Sequence, residues 1–155
     1  MKVRHGGVVD AGQVAVLLNR IIGERDGTAL SVPVTPEEEA RFLSELLVGG
    51  ALLLAEGPGG ELLGFQSVER RGPAWGKIGT FVERAARGRG VGRRLLGATL
   101  TWAGSAGVRL LRAEVAADNA GGLRAYRAWG FMGAASPSPD PAKVRLDLRV
   151  ADPSA

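Results

Sequence analysis

No cysteine occurs in the 155 residues, and histidine occurs once, at His5. A disulfide framework, thiolate catalysis and a cysteine-based zinc site are thereby excluded, and one imidazole cannot by itself build a histidine metal centre. No metal is expected. Aromatic residues make up 5 % of the chain, too few for the stacking platforms of single-strand nucleic-acid binders. No stretch of about 18 uninterrupted apolar residues is present, and the opening MKVRHGGVVD has no apolar segment of signal-peptide type. Neither a membrane partner nor export is expected, which points to a cytoplasmic protein. Lysine is scarce too: three lysines stand against 17 arginines. The net charge of +4 therefore rests on a side chain whose planar fork suits phosphate.

What remains is 45 % hydrophobic, enough to fill one core in a single domain spanning 1–155. The pattern begins with a short strand around Val3. Asp10, with Gln13 three residues on, then has the form of a capping box for a helix presenting Val14, Leu17, Leu18 and Ile21. Thr35, followed by Pro36, Glu37 and Glu38, starts a second helix that Gly49–Gly50 ends. ALLLAE and ELLGFQSVE read as a hairpin about GPGG, and KIGTFVE follows as another strand. Val91, Leu95, Leu96, Leu100 and Ala103 then recur at helical spacing, RLLRAEVA is a strand, and residues 119–129 form a helix stopped by Gly130. FMGA and KVRLDLRV close the chain as strands on either side of the loop SPSPDPA. The fold class is α/β (α+β), in the order β-α-α-β-β-β-α-β-α-β-β.

One segment is chemically distinctive. RGRGVGRRLL places Gly88, Gly90 and Gly92 at alternate positions among Arg87, Arg89, Arg93 and Arg94, between a predicted strand and a predicted helix. The unpaired N–H groups of a helix start, the absence of Cβ atoms and the surrounding positive charge together suit an anion. The anion is not bound by a Walker A loop, since G-x-x-x-x-G-K-[ST] is absent. Nor is it bound by a dinucleotide fingerprint, since Arg93 stands where the third glycine belongs. A glycine-rich connection required only for close packing is the alternative.

RGRGVG has the form [RQ]-x-x-G-x-[GA] and resembles the acyl-coenzyme A pyrophosphate loop of the Gcn5-related N-acetyltransferases, the GNAT family. NAGGLRAYRAWGF resembles the second motif of that family, N-x-x-A-x-x-x-Y-x-x-x-G-F, with room between the two for one helix and one strand. Gly122 replaces the usual alanine, and Arg84 stands where proline is frequent. The resemblance is specific over 77–131 and extends by pattern over the rest. It implies a mixed sheet of about seven strands with four helices, splayed between strands four and five, and acetyl-CoA as cofactor. It further implies transfer of an acetyl group to a primary amine, with cofactor contacts from Phe81, Val82, Arg87, Gly88, Arg89, Gly90, Val91, Gly92, Arg93 and Asn119.

Within that resemblance Tyr126 is the expected acid to the departing thiolate, although a tyrosine on the core side of a helix is the simpler alternative. Asn119 is equally suited to capping its helix. Glu114 is the expected base, with Glu69, Glu83 or a water relay as competitors. The segments 26–36, 70–76 with Trp75, and 135–142 are expected to border the acceptor. TALSVPVTPEE resembles the phosphinothricin and L-amino-acid N-acyltransferase branch of the family, so a small amine or amino acid is the first expectation and a protein N-terminus the second. A homodimer is a further expectation. The rival readings are a silent acyl-coenzyme A sensor and a nucleic-acid module using Arg84, Arg87, Arg89, Arg93 and Arg94. No nucleic-acid partner is expected.

Overall fold

Thr35 and Glu38 close the start of a helix reciprocally. Each backbone N–H donates to the other's side-chain oxygen at 3.0 Å, with Pro36 in the first turn. The computed structural model describes residues 1–24 and 32–153. Over them the chain forms β1 (Lys2–His5), α1 (Ala11–Glu24), α2 (Pro36–Leu46), β2 (Ala51–Glu56), β3 (Leu62–Arg70) and β4 (Trp75–Val82). It continues through α3 (Val91–Ala106), β5 (Leu110–Ala116), α4 (Ala120–Ala128), β6 (Met132–Gly133) and β7 (Lys143–Arg149). This is the order read from the sequence.

The strands form one sheet in the order β1-β2-β3-β4-β5-β7-β6, antiparallel throughout except for the parallel β4–β5 pair. Side chains alternate across a strand, so each face collects its own core. Phe65 and Phe81 pack with Leu17, Leu18, Ile21 and Leu43 under α1 and α2. Val68, Ile78, Ala113 and Val115 pack with Leu96, Tyr126 and Phe131 on the α3/α4 face. The sheet therefore separates two helical layers.

Two local expectations are corrected. Asp10 does not form a capping box with Gln13. A single 3-10 turn, Val8–Asp10, precedes α1, and Asp10 accepts hydrogen bonds from Gly7 N–H (2.8 Å), Gln13 Nε2 (2.9 Å) and both Arg4 terminal nitrogens (2.8 and 3.2 Å). Trp75 begins β4 and is not part of the preceding loop, because its backbone pairs with Leu110 of β5; the Arg112 guanidinium, whose Nε and Nη2 hold Asp147 at 2.8 and 3.0 Å, lies 5.2 Å above its ring.

The Asp10 cluster has a measurable consequence. Asp10 is 6 % exposed, and the hydrogen bonds from Arg4 hold its carboxyl below the usual carboxylate range, outweighing the opposing effect of burial. A carboxyl lowered on folding stabilises the fold above its unfolded value of about 3.9, and that stability disappears as pH falls through the lower folded value. Melting temperature should hold down to about pH 5 and fall below about pH 4. Asp10→Asn should cost about 2 kcal/mol at pH 7 and flatten the acid limb; a variant that melts along the wild-type pH curve would exclude the cluster as its cause.

Candidate active site

β4 and β5 pair at Trp75↔Leu110, Gly76↔Leu111 and Lys77↔Arg112, and there the pairing stops. Both strands continue, β4 to Val82 and β5 to Ala116, each paired only on its outer side. The sheet is splayed where the resemblance requires it. The amide directions follow from alternation along β4. Glu83 N–H donates to Leu63 O at 2.8 Å, so the amide of Phe81, two residues back, also faces β3, while those of Thr80 and Val82 face the gap. Of the two amides expected there, the strand geometry turns Val82 toward the gap and leaves Phe81 contributing its ring, stacked on Phe65 with centroids 4.9 Å apart.

Tyr126 fills part of the gap. Its ring is held edge-on by Trp129 and Phe131, at 5.3 and 5.0 Å, and its hydroxyl lies 2.9 Å from Thr80 Oγ1. Burial pushes the phenol up to about 12, against the smaller opposing effect of hydrogen bonds from Thr80. It is neutral and protonated at physiological pH. Gln66, fully buried, donates from Nε2 to the same Thr80 oxygen at 2.9 Å. Thr80 Oγ1 thus accepts from both the phenol and Gln66; because a hydroxyl also donates, the phenol proton turns to the gap when Thr80 donates in return. Thr80 is a site residue that sequence reasoning missed; its position, one turn of the alternation before Val82, was the available signal.

At the other end of the gap, Gly90 caps α3 with φ +81° and Gly88 has φ +76°, both left-handed values that favour glycine. A Cβ at either would enter open space, whereas one at Gly92 would come 2.5 Å from the Trp129 ring. The three glycines thus divide: Gly88 and Gly90 shape an open cradle, and Gly92 serves close packing. The first bond within α3 runs from Arg94 N–H to Gly90 O, so the amides of Val91, Gly92 and Arg93 point out of the helix start. This arrangement fits a pyrophosphate. Arg87 Nε donates to Val82 O at 3.1 Å, anchoring the loop to the strand end. Arg84 pairs with Glu24 at 3.3 Å and Arg94 donates to Met1 O at 3.0 Å, which draws both away from a common basic patch.

A cavity of about 980 Å³ joins these parts. The residues lining it include Phe81, Val82, Arg87, Gly88, Gly90, Val91, Gly92, Arg93, Asn119, Tyr126 and Glu114; Arg89 is exposed and does not line it. The Val91 side chain is core, so only its amide is available. Asn119 caps α4, accepting from Gly122 N–H at 2.9 Å, and lines the cavity as well. Glu114 lies on the α1/α2 face, opposite to Tyr126, with Arg145 Nη2 at 3.5 Å and Ser138 Oγ at 3.4 Å. Glu69 also lines the cavity and pairs with Arg71 at 3.0 Å, while Glu83 does not line it and sits 3.9 Å from Arg20. Of the expected acceptor segments, residues 26–31 lie outside the described residues, Val34 lines the cavity, and neither Trp75 nor 135–142 does. Glu38, Glu39 and Phe42 of α2 line it instead.

A sheet splayed between two parallel strands, with a glycine cradle at a helix start and a neutral phenol in the gap, is the arrangement that the resemblance to acyl-coenzyme A-dependent transferases implies. The sequence model of the Acetyltransferase (GNAT) family matches residues 25–131. YwnH of Bacillus subtilis, assigned provisionally as a phosphinothricin acetyltransferase, is 32 % identical over 127 residues, covering 79 % of this chain and 78 % of its own. The L-methionine sulfoximine/L-methionine sulfone acetyltransferase of Pseudomonas aeruginosa is 28 % identical over 135 residues, 83 % of this chain and 78 % of its own. A GNAT-superfamily phosphinothricin acetyltransferase from Sinorhizobium meliloti, solved with acetyl-CoA, superposes with a TM-score of 0.80 at 17 % identity over 97 % of this chain and 89 % of its own. The chain belongs to the GNAT family of acetyltransferases, and acetyl-CoA is its acetyl donor.

Proposed function

We propose that the protein acetylates the primary amine of a small, amino-acid-like acceptor by direct transfer. The observation that carries the reading is the single cavity running from the glycine cradle on the α3/α4 side, through the β4–β5 gap, to the α1/α2 face. The relatives named for small amino-acid analogues support the acceptor class. With no cysteine to carry an acyl group, attack by the amine itself is the economical route. A cytoplasmic setting accords with it.

Acetyl-CoA, when bound, supplies an electrophilic thioester carbon and a thiolate leaving group. Gly88, Gly90 and the amides at the start of α3 would hold its pyrophosphate. Val82 N–H faces the gap and would polarise the carbonyl oxygen. Tyr126 provides a hydrogen bond to the sulfur as charge develops there. A phenol near 12 lies well above an ordinary thiol at about 8.5, so stabilisation by donation dominates over complete ground-state transfer. Glu114, on the acceptor face, takes a proton from the incoming ammonium, directly or through water.

The test is a thiol-release assay with acetyl-CoA across L-methionine sulfone, phosphinothricin, simple alkylamines and a peptide with a free N-terminus. Turnover should be greatest with the amino-acid analogues. Release with the peptide alone would replace the acceptor class, and release with no amine would leave a binding protein in place of an enzyme.

A further inference from the structure

α2 is amphipathic, and its inward stripe is Glu39, Leu43 and Leu46. Two of these positions carry the leucine that a core stripe calls for. The first carries a glutamate that as a whole residue is 5 % exposed, with its carboxylate end toward the cavity. Among the described residues it accepts no hydrogen bond and forms no ion pair, although a charged group on an inward stripe is ordinarily paired. It lines the cavity on the α1/α2 face, beside Leu18, Ile21, Val34, Phe42 and Phe65.

The other charged groups on this face do not satisfy it. Glu38 is engaged with Thr35 N–H, Glu69 with Arg71, and Glu114 with Arg145 and Ser138. Lys77 lines the same face, yet no ion pair joins it to Glu39. Burial holds the Glu39 carboxyl above the usual range, as expected for a carboxylate whose cation is not part of the chain.

We infer that Glu39 is the acceptor-binding residue of this enzyme, taking the primary ammonium of a small acceptor whose apolar part lies against Phe42, Phe65 and Ile21. The inference rests on the amine-acetyltransferase reading and adds to it the residue that selects the acceptor. Glu39 holds the ammonium in the cavity, and proton removal by Glu114, directly or through water, is a separate step. The first role governs acceptor affinity and the second governs rate. This arrangement also accounts for the cost of leaving a charge in the α2 stripe, since a site kept for a ligand is commonly a site of lost stability.

The experiment compares wild type, Glu39→Gln and Glu39→Leu with L-methionine sulfone and with the alkylamine acetylated fastest by wild type, at saturating acetyl-CoA. For Glu39→Gln, KM for each acceptor should rise about 30-fold or more, with kcat at saturating acceptor within about threefold and calorimetric acetyl-CoA affinity unchanged. Glu39→Leu completes the apolar stripe and should raise the melting temperature of the free protein while abolishing acceptor saturation. An unchanged KM and kcat in Glu39→Gln, or a melting temperature lowered in both variants, would overturn the inference and leave a structural carboxylate. A fall in kcat with unchanged KM would overturn it in favour of Glu39 as the base. Wild-type turnover with these acceptors stands apart from all three outcomes, so failure of the enzyme reading is separately visible.

Discussion

Tyr126→Phe should lower kcat by about 10² to 10⁴ while leaving the affinity for acetyl-CoA within a few-fold of wild type. The substitution keeps the ring between Trp129 and Phe131 and removes only the hydroxyl, so the packing of α4 against β5 is preserved. What is lost is a phenol donor that burial keeps protonated inside the gap. Thr80→Val tests the same assembly one step back. It removes the oxygen that receives from Gln66 and orients the phenol, without removing the phenol itself. A positioning effect of about tenfold on kcat is expected, restored by Thr80→Ser. Single-turnover measurement, where chemistry limits, decides the matter: a Tyr126→Phe enzyme with the full rate would make Tyr126 a core residue only.

The element order was legible because each element carries its own local signal. Thr35 and Glu38 form the reciprocal cap their spacing implies, and Gly107 follows α3 with φ +77° as a helix-ending glycine should. The glycine-rich turn into α3 was legible for the same reason, since its shape is set by consecutive backbone positions. Residues brought together across the sheet were harder to read. Thr80 and Gln66 are polar residues in strands, and nothing local distinguishes them from solvated ones until the register Gln66↔Thr80 and the phenol of Tyr126 meet. Glu39 was hidden by its surroundings in the row, PEEEA, where three acidic residues read as favourable charge at a helix start. Only the turn of α2 shows that Glu37 and Glu38 stay exposed while Glu39 turns inward. Asp10 misled in the opposite direction. A cap pattern with Gln13 was present, but Arg4, six residues earlier on β1, competes for the same carboxylate through a charge-assisted pair.

Gly90→Val should weaken acetyl-CoA binding by about two orders of magnitude, equivalent to ~2.7 kcal/mol. Two effects combine. The residue has φ +81°, which a β-branched side chain adopts only with strain, so the turn into α3 shifts and the amides of Val91, Gly92 and Arg93 lose their common direction. The new side chain also projects into the open space of the cradle, where nothing of the protein lies within 4 Å. Loss of one or two hydrogen bonds from backbone N–H to a charged phosphate is sufficient for the stated magnitude. Arg87→Ala removes charge but leaves the amides, so its loss should be smaller and should shrink as salt is raised. Gly97, within α3 and also without neighbours at its Cβ, provides the control. Gly97→Ala should stabilise the helix by about 0.5–1 kcal/mol and leave cofactor affinity unchanged. Calorimetric titration of coenzyme A into the three variants separates these effects, and a folded Gly90→Val protein that binds as tightly as wild type would show that the pyrophosphate is held elsewhere.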